Sequence, residues 1–168
     1  MQEKLTVTLT GFTINDGKTL PEEFVSYIII DKHGYISAAC WDTGTFFTEN
    51  GESGAFAQAR MSSYRLDDVR AWLEIDNCKY DDFSGRVAAD NELSVTIGDF
   101  VLNDGKNRPK NVTEYLLLWK DNSLTLGCWL DDYYPDAEDE MGIFKESRGG
   151  VLELEHVKAW AELDKKVL

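Results

Sequence analysis

The chain has 168 residues, 43% hydrophobic and 12% aromatic, with 17 basic and 31 acidic groups and a net charge of −14. That is enough for one sizeable core or two small ones, and a surface this acidic repels phosphate backbones, which disfavours direct nucleic-acid binding and favours a basic partner. Three cysteines without Cys-x-x-Cys spacing, no apolar signal core after Met1 and no long apolar run predict a reduced, cytoplasmic protein without disulfides, zinc site or membrane segment.

Leu5, Val7 and Leu9 alternate with threonines, the period of a half-buried strand. Asn15-Asp16-Gly17-Lys18 then supplies a tight turn, and Pro21 leads into an apolar run over 24–31. Gly34 marks a hairpin turn before a third run, 35–41, ending in Cys40-Trp41. The three runs predict a meander. The Gly- and Ser-rich stretch over 43–63 predicts loop, with a short helix around Ala55–Met61. From 64 to 75, Val69, Ala71, Leu73 and Ile75 alternate with Arg70, Trp72 and Glu74, which predicts a closing strand. Residues 77–92 form a linker whose Tyr80, Phe83 and Val87 are expected to pack against something.

From Leu93 the sequence repeats itself at a shift of 88 positions. Residues 5–76 and 93–164 align without a gap, and 23 of the 72 pairs are identical, including Asn103-Asp104-Gly105-Lys106, Tyr115, Cys128-Trp129, Val157, Ala159 and Trp160. Gly34 becomes Asn122, the other residue type that tolerates left-handed backbone. In the variable loop, Gly54/Gly142, Phe56/Phe144 and Arg60/Arg148 persist. The predicted fold is therefore mainly β. It has two tandem modules, 1–76 and 93–168, each a three-strand antiparallel meander with a closing β element, related by approximate twofold symmetry and packed through Trp and Phe at their seam. Residues 1–88 carry 8 basic and 14 acidic groups and residues 89–168 carry 9 and 17, so both halves are acidic.

The order Leu20-Pro21-Glu22, apolar run, turn, aromatic-ended strand and Val69-Arg70-Ala71-Trp72 resembles a family of small phage and prophage proteins of unknown function. Its domains carry an L-P-E step, a V-L-V-type strand and a closing V-x-A-W-x-P-L-P. The second copy keeps Pro109, Leu116 to Leu118 and Val157-Lys158-Ala159-Trp160, whereas neither copy has the final P-L-P. The resemblance implies a mobile-element origin and a bacterial cytoplasm, and carries over no catalytic residue.

Candidate chemistry is sparse. His33 and His156 have no counterpart in the other copy and sit where side chains face solvent, which does not suit a general base. Cys40 and Cys128 recur beside tryptophans in strands, the setting of small buried hydrophobes rather than nucleophiles. Asn-Asp-Gly-Lys leads into proline and a strand, unlike a phosphate-binding loop. No catalytic residue, cofactor or metal ligand is expected.

The most unusual stretch is Asp131, Asp132, Tyr133, Tyr134, Pro135, Asp136, Ala137, Glu138, Asp139 and Glu140, with six acids where the first copy has Thr43 to Glu52. It suits a solvated loop, a calcium ligand set lacking the usual central glycine, or a docking patch joining charge to tyrosine contact area. Trp119, unmatched because its counterpart is Asp31, is a second candidate contact. The expected function is a non-enzymatic phage or mobile-element protein that binds a basic host macromolecule through this acidic surface, for instance an anti-CRISPR or anti-restriction inhibitor of a defence nuclease. The alternative is a small-molecule module with a tryptophan-lined pocket between the repeats.

Overall fold

The computed structural model describes residues 5–43, 54–59, 62–131 and 142–167. Module 1 contains β1 (Val7–Leu9), β2 (Thr13–Ile14), β3 (Ser26–Asp31), β4 (Tyr35–Asp42), β5 (Ala55–Ala57), β6 (Ser63–Arg65) and β7 (Val69–Glu74). Module 2 repeats them as β8 (Val95–Ile97), β9 (Val101–Leu102), β10 (Thr113–Trp119), β11 (Leu124–Leu130), β12 (Ile143–Lys145), β13 (Val151–Leu152) and β14 (Val157–Glu162), and β15 (Lys165–Lys166) follows. The described helices are three-residue 3-10 turns, so the protein is mainly β and its sheets are antiparallel. Where a helix is expected near Ala55, β5 forms instead, because Phe56 lies opposite Trp41 and Tyr64 in the sheet.

The strand order is β2-β7-β3-β4-β5-β6 in module 1 and β9-β14-β10-β11-β12-β13 in module 2, the same order in both. Register repeats as well: Tyr27 faces Glu74 and Tyr115 faces Glu162, with a bulge at Ile30/Asp31 and at Leu118/Trp119. The meander is one strand further along the chain than the apolar runs suggest. It is β3-β4-β5, closed by β7 beside β3, because the first run leaves its own module. There β1 pairs with β8, Val7 opposite Ile97, Thr8 opposite Thr96 and Leu9 opposite Val95, and the Thr8 and Thr96 hydroxyls lie 3.1 Å apart. Each residue thus faces the repeat equivalent of its symmetric neighbour, the register that a twofold relation would require.

β3 is buried at all six positions because both its faces are covered. Ile28, Ile30, Ile36, Ala38, Leu73 and Ile75 face a shared core, where they meet Leu116, Leu118, Leu124, Leu126, Ala159, Ala161 and Leu163. The intervening residues face outward into private clusters: Tyr27, Ile29, Trp41, Phe56 and Trp72 in one module, and Tyr115, Leu117, Trp129, Phe144 and Trp160 in the other. The expectation of tryptophans at the seam is therefore corrected. Aliphatic side chains of the two sheets meet in the shared core, while the indoles pack around Phe56 and Phe144 on the opposite faces. Phe12, Phe83 and Phe100 are the phenylalanines that do border the shared core. The outer packing is nearly superimposable in its distances: Trp41 to Phe56 is 5.0 Å and Trp129 to Phe144 is 4.9 Å, edge to face in both. Gly54 and Gly142 persist because a Cβ at either would enter the ring of Trp41 or Trp129.

The Asn-Asp-Gly-Lys turn braces each outer cluster. Asn15 Nδ2 donates to the carbonyls of Leu66 and Val69, each at 2.8 Å, and Asn103 Nδ2 donates to those of Leu154 and Val157 at 2.8 and 2.9 Å. Gly17 and Gly105 hold the left-handed φ of 72° and 73° that the turn requires.

Chain segments also cross between modules. Leu124 N–H donates to Cys78 O at 3.0 Å, Tyr80 N–H donates to Asn122 O at 2.8 Å, and β15 pairs with the start of β4. Tyr80 and Phe83 pack on the shared core as expected, whereas Val87 is 89% exposed. Arg148 reaches Asp76 at 3.1 Å across the seam, and Asp76 also accepts the N–H of Ser26. That half-exposed tie is worth about 1 kcal/mol or less, whereas one fully buried leucine contributes about 1.5–3 kcal/mol. The aliphatic seam, not the ion pair, holds the modules together.

Candidate functional site

Asp131 directly follows β11 and has two scaffold partners. It accepts the indole N–H of Trp129, and its own N–H donates to Asn111 Oδ1 at 3.1 Å. In module 1 the equivalent position is Thr43, bonded to Glu23, and the buried indole N–H of Trp41 has no partner among the described residues. Asp131 is therefore tied to the scaffold at the position where the acidic stretch begins in sequence. Asp132, Tyr133, Tyr134, Asp136, Glu138, Asp139 and Glu140 lie outside the described residues.

Next to that anchor the backbone is unusual in both modules. Phe24 and its equivalent Val112 hold left-handed φ of 59° and 54°, a conformation uncommon for bulky residues and an outlier for β-branched ones. Their N–H groups donate to Trp41 O at 3.0 Å and Trp129 O at 2.8 Å, and these bonds hold the bend. The bend turns both side chains outward, leaving Phe24 63% and Val112 49% exposed. Neither residue type signals this in the sequence.

Trp119 is not brought together with Asp131. It ends β10 near the hairpin tip, six residues from Thr113, which faces Trp129, and Asp131 lies two residues beyond Trp129; at about 3.3 Å per residue the two candidates are roughly 25 Å apart. Its indole Nε1 donates to Thr125 Oγ1 at 2.7 Å and its ring stacks on His156, centroids 6.5 Å apart at 16°. Module 1 has an ion pair at this place, Lys32 with Asp68, and that hydrogen bond holds the Asp68 carboxyl below the usual carboxylate range. Glu153 and Glu155 flank His156 at 3.6 and 3.4 Å, all three exposed, an arrangement that solvated side chains adopt without an ion.

Cys40 and Cys128 are buried, and burial followed by the negative charge of Asp42 pushes the Cys40 thiol up to about 11. A thiol so shifted is protonated at neutral pH. His33 and His156 are both exposed.

Among the described residues, two clefts lie where the modules meet. One, of about 290 Å³, is lined by Phe24, Cys40, Asp42, Lys145 and Arg148 among others, and a second, of about 320 Å³, by Asp76, Lys79, Ser123, Thr125 and Arg148 with their neighbours. Neither has the expected tryptophan lining, because the four recurring tryptophans face outward. Two further clefts, one per module, do reach Trp72 and Trp160.

Among the described residues no helix is long and apolar enough to cross a membrane. In comparisons with known proteins, no family model, no curated protein and no solved structure matches the chain.

Proposed function

We propose that the protein is a non-enzymatic accessory protein of a phage or other mobile element that binds a basic surface on a host macromolecule in the bacterial cytoplasm. Its acidic stretch, Asp132 to Glu140, would supply the contact. One concrete version is an inhibitor of a host defence nuclease, with carboxylates occupying a basic groove that otherwise takes nucleic acid.

The observation that carries this reading is an asymmetry on a common scaffold. β11 and β12 pair in the same register as β4 and β5, yet between them module 2 carries six acids over 131–140 where module 1 has Glu49 and Glu52 over 43–52. What recurs between the copies serves as framework, so the part that differs is where partner recognition is sought. Asp131 supports it by fixing the start of the stretch against Trp129, and the exposed Val112 adds apolar area beside it. Trp119, at the other end of the hairpin, is a separate contact.

The test is a variant with Asp132, Asp136, Glu138, Asp139 and Glu140 changed to their amides, Asp131 being kept because it holds Trp129. Wild type is expected to capture a basic protein from host lysate at low salt, release it at high salt and inhibit any nuclease so captured; the variant is expected to lose both. Equal affinity of variant and wild type for every basic partner would end this reading.

A further inference from the structure

The two modules build the same cleft on the same backbone and line it with different charge. In each it lies between the segment after Asn-Asp-Gly-Lys and the closing strand, over a recurring floor: Tyr27 and Trp72 in module 1, Tyr115 and Trp160 in module 2. Around that floor module 1 places Leu20, Glu22 and Glu74. Module 2 places Arg108, Lys110 and Glu162, adds Lys165, and opens to about 530 Å³ against about 320 Å³. Three of the nine basic residues in 89–168 thus stand at one cleft of the more acidic half.

These cations are not all occupied. Lys110 Nζ lies 2.7 Å from Glu162 Oε2, so that pair largely cancels itself. Arg108 and Lys165 are in no ion pair among the described residues. Nor is the wall purely polar: Val101, 40% exposed, and the buried Pro109 join the Tyr115 and Trp160 edges. Two unspent cations over an apolar floor form a place for an anion with a flat body. A guanidinium takes a carboxylate through two parallel hydrogen bonds. Charge count decides between anions: with Asp99 and Glu162 opposing three cations, the cleft is left with one net positive charge, which suits a monoanion better than a phosphate dianion.

We propose that the module 2 cleft binds a small organic carboxylate with a planar apolar body, the carboxylate on Arg108 and Lys165 and the body against Val101, Pro109 and Trp160. The sibling cleft does not bind it. Open, solvent-screened cations make for weak binding, with a Kd on the order of 1 mM for a minimal probe. This site makes no use of the acidic stretch, so its failure leaves the proposed function standing.

The experiment is a titration of the ¹⁵N-labelled full chain with indole-3-acetate, and in parallel with the neutral indole-3-acetamide. Amide shifts are expected at Val101, Arg108 and Lys110 and at the Trp160 indole N–H, with none at Thr13, Leu20, Glu22 or Trp72, and the acetamide should bind at least about tenfold more weakly. The double variant Arg108→Leu, Lys110→Glu installs the residues that module 1 carries at the same positions and should weaken acetate binding about tenfold or more. Equal shifts in both clefts, equal affinity for acid and amide, or no shift at about 10 mM probe would each overturn the proposal. Should the double variant fail to fold, the acid and amide titrations of the wild type decide alone.

Discussion

The two faces of each sheet are built from alternate residues of the same strands, yet they do different work. Ile28, Ile30, Leu116 and Leu118 point into a core that belongs to both modules, while Tyr27, Ile29, Tyr115 and Leu117 point into clusters that belong to one module each. The seam is mainly aliphatic and draws residues from both units into one cluster. The outer faces are aromatic, edge-to-face packed and self-contained. A duplicated chain thus needs two kinds of core, one to complete each unit and one to bind the units together, and the period-2 alternation of a strand writes both into a single run such as Ile28-Ile29-Ile30.

The largest expected effect comes from placing a charge in the seam. Leu116→Asp buries a carboxylate among aliphatics, with no buried cation among the described residues to pair it, a loss of more than about 5 kcal/mol. Both modules should unfold together by circular dichroism and NMR; survival of module 1 signals would show that the seam is dispensable. Next is Phe144→Ala, which empties one outer cluster at a cost of about 3–5 kcal/mol. Hydrogen exchange should accelerate first in β10 to β14 and leave β3, β4 and β7 the better protected, whereas uniform acceleration would erase the distinction between private and shared cores.

The smallest effect is chemical rather than energetic. Cys40 and Cys128 lie on seam-side positions and are buried, while Cys78 in the linker is only half-buried. Burial raises the thiols of Cys40 and Cys78 above the ordinary cysteine value, so each is held in its neutral form and its thiolate appears only as pH climbs through the raised value. Access then sets the order. At pH 8 an aromatic disulfide reagent should label Cys78 slowly in the native protein and reach Cys40 and Cys128 only after urea unfolding. Native labelling of Cys40 would mean that the seam opens.

Much of the architecture was legible in the sequence, since the repeat at 88 positions places β strands, turns and tryptophans twice and each copy checks the other. Gly34 and Asn122 are left-handed, and their residue types declare that conformation. Phe24 and Val112 were not legible, since a phenylalanine and a valine give no local sign of a bend held by distant carbonyls. The partner of the first strand was equally hidden, because alternation of Leu5, Val7 and Leu9 states that a strand has a buried side but not which strand lies beside it. The site was read only in part. Six acids in ten residues stood out, but the use of Asp131 in holding an indole, and the separation of Trp119 from it, depend on tertiary register. The cleft around Arg108 and Lys165 joins residues 57 positions apart, beyond any local pattern.

The pairing of β1 with β8 places Thr8 against Thr96, so the contact is one that a unit makes with its own likeness. In an assembly of identical chains every substitution is made on both sides of such a contact at once. Here the halves are joined covalently, their encounter does not depend on protein concentration, and each position mutates once. That freedom lets Arg108 and Lys110 stand where the other half has Leu20 and Glu22, on a frame whose shared strands need not change to allow it.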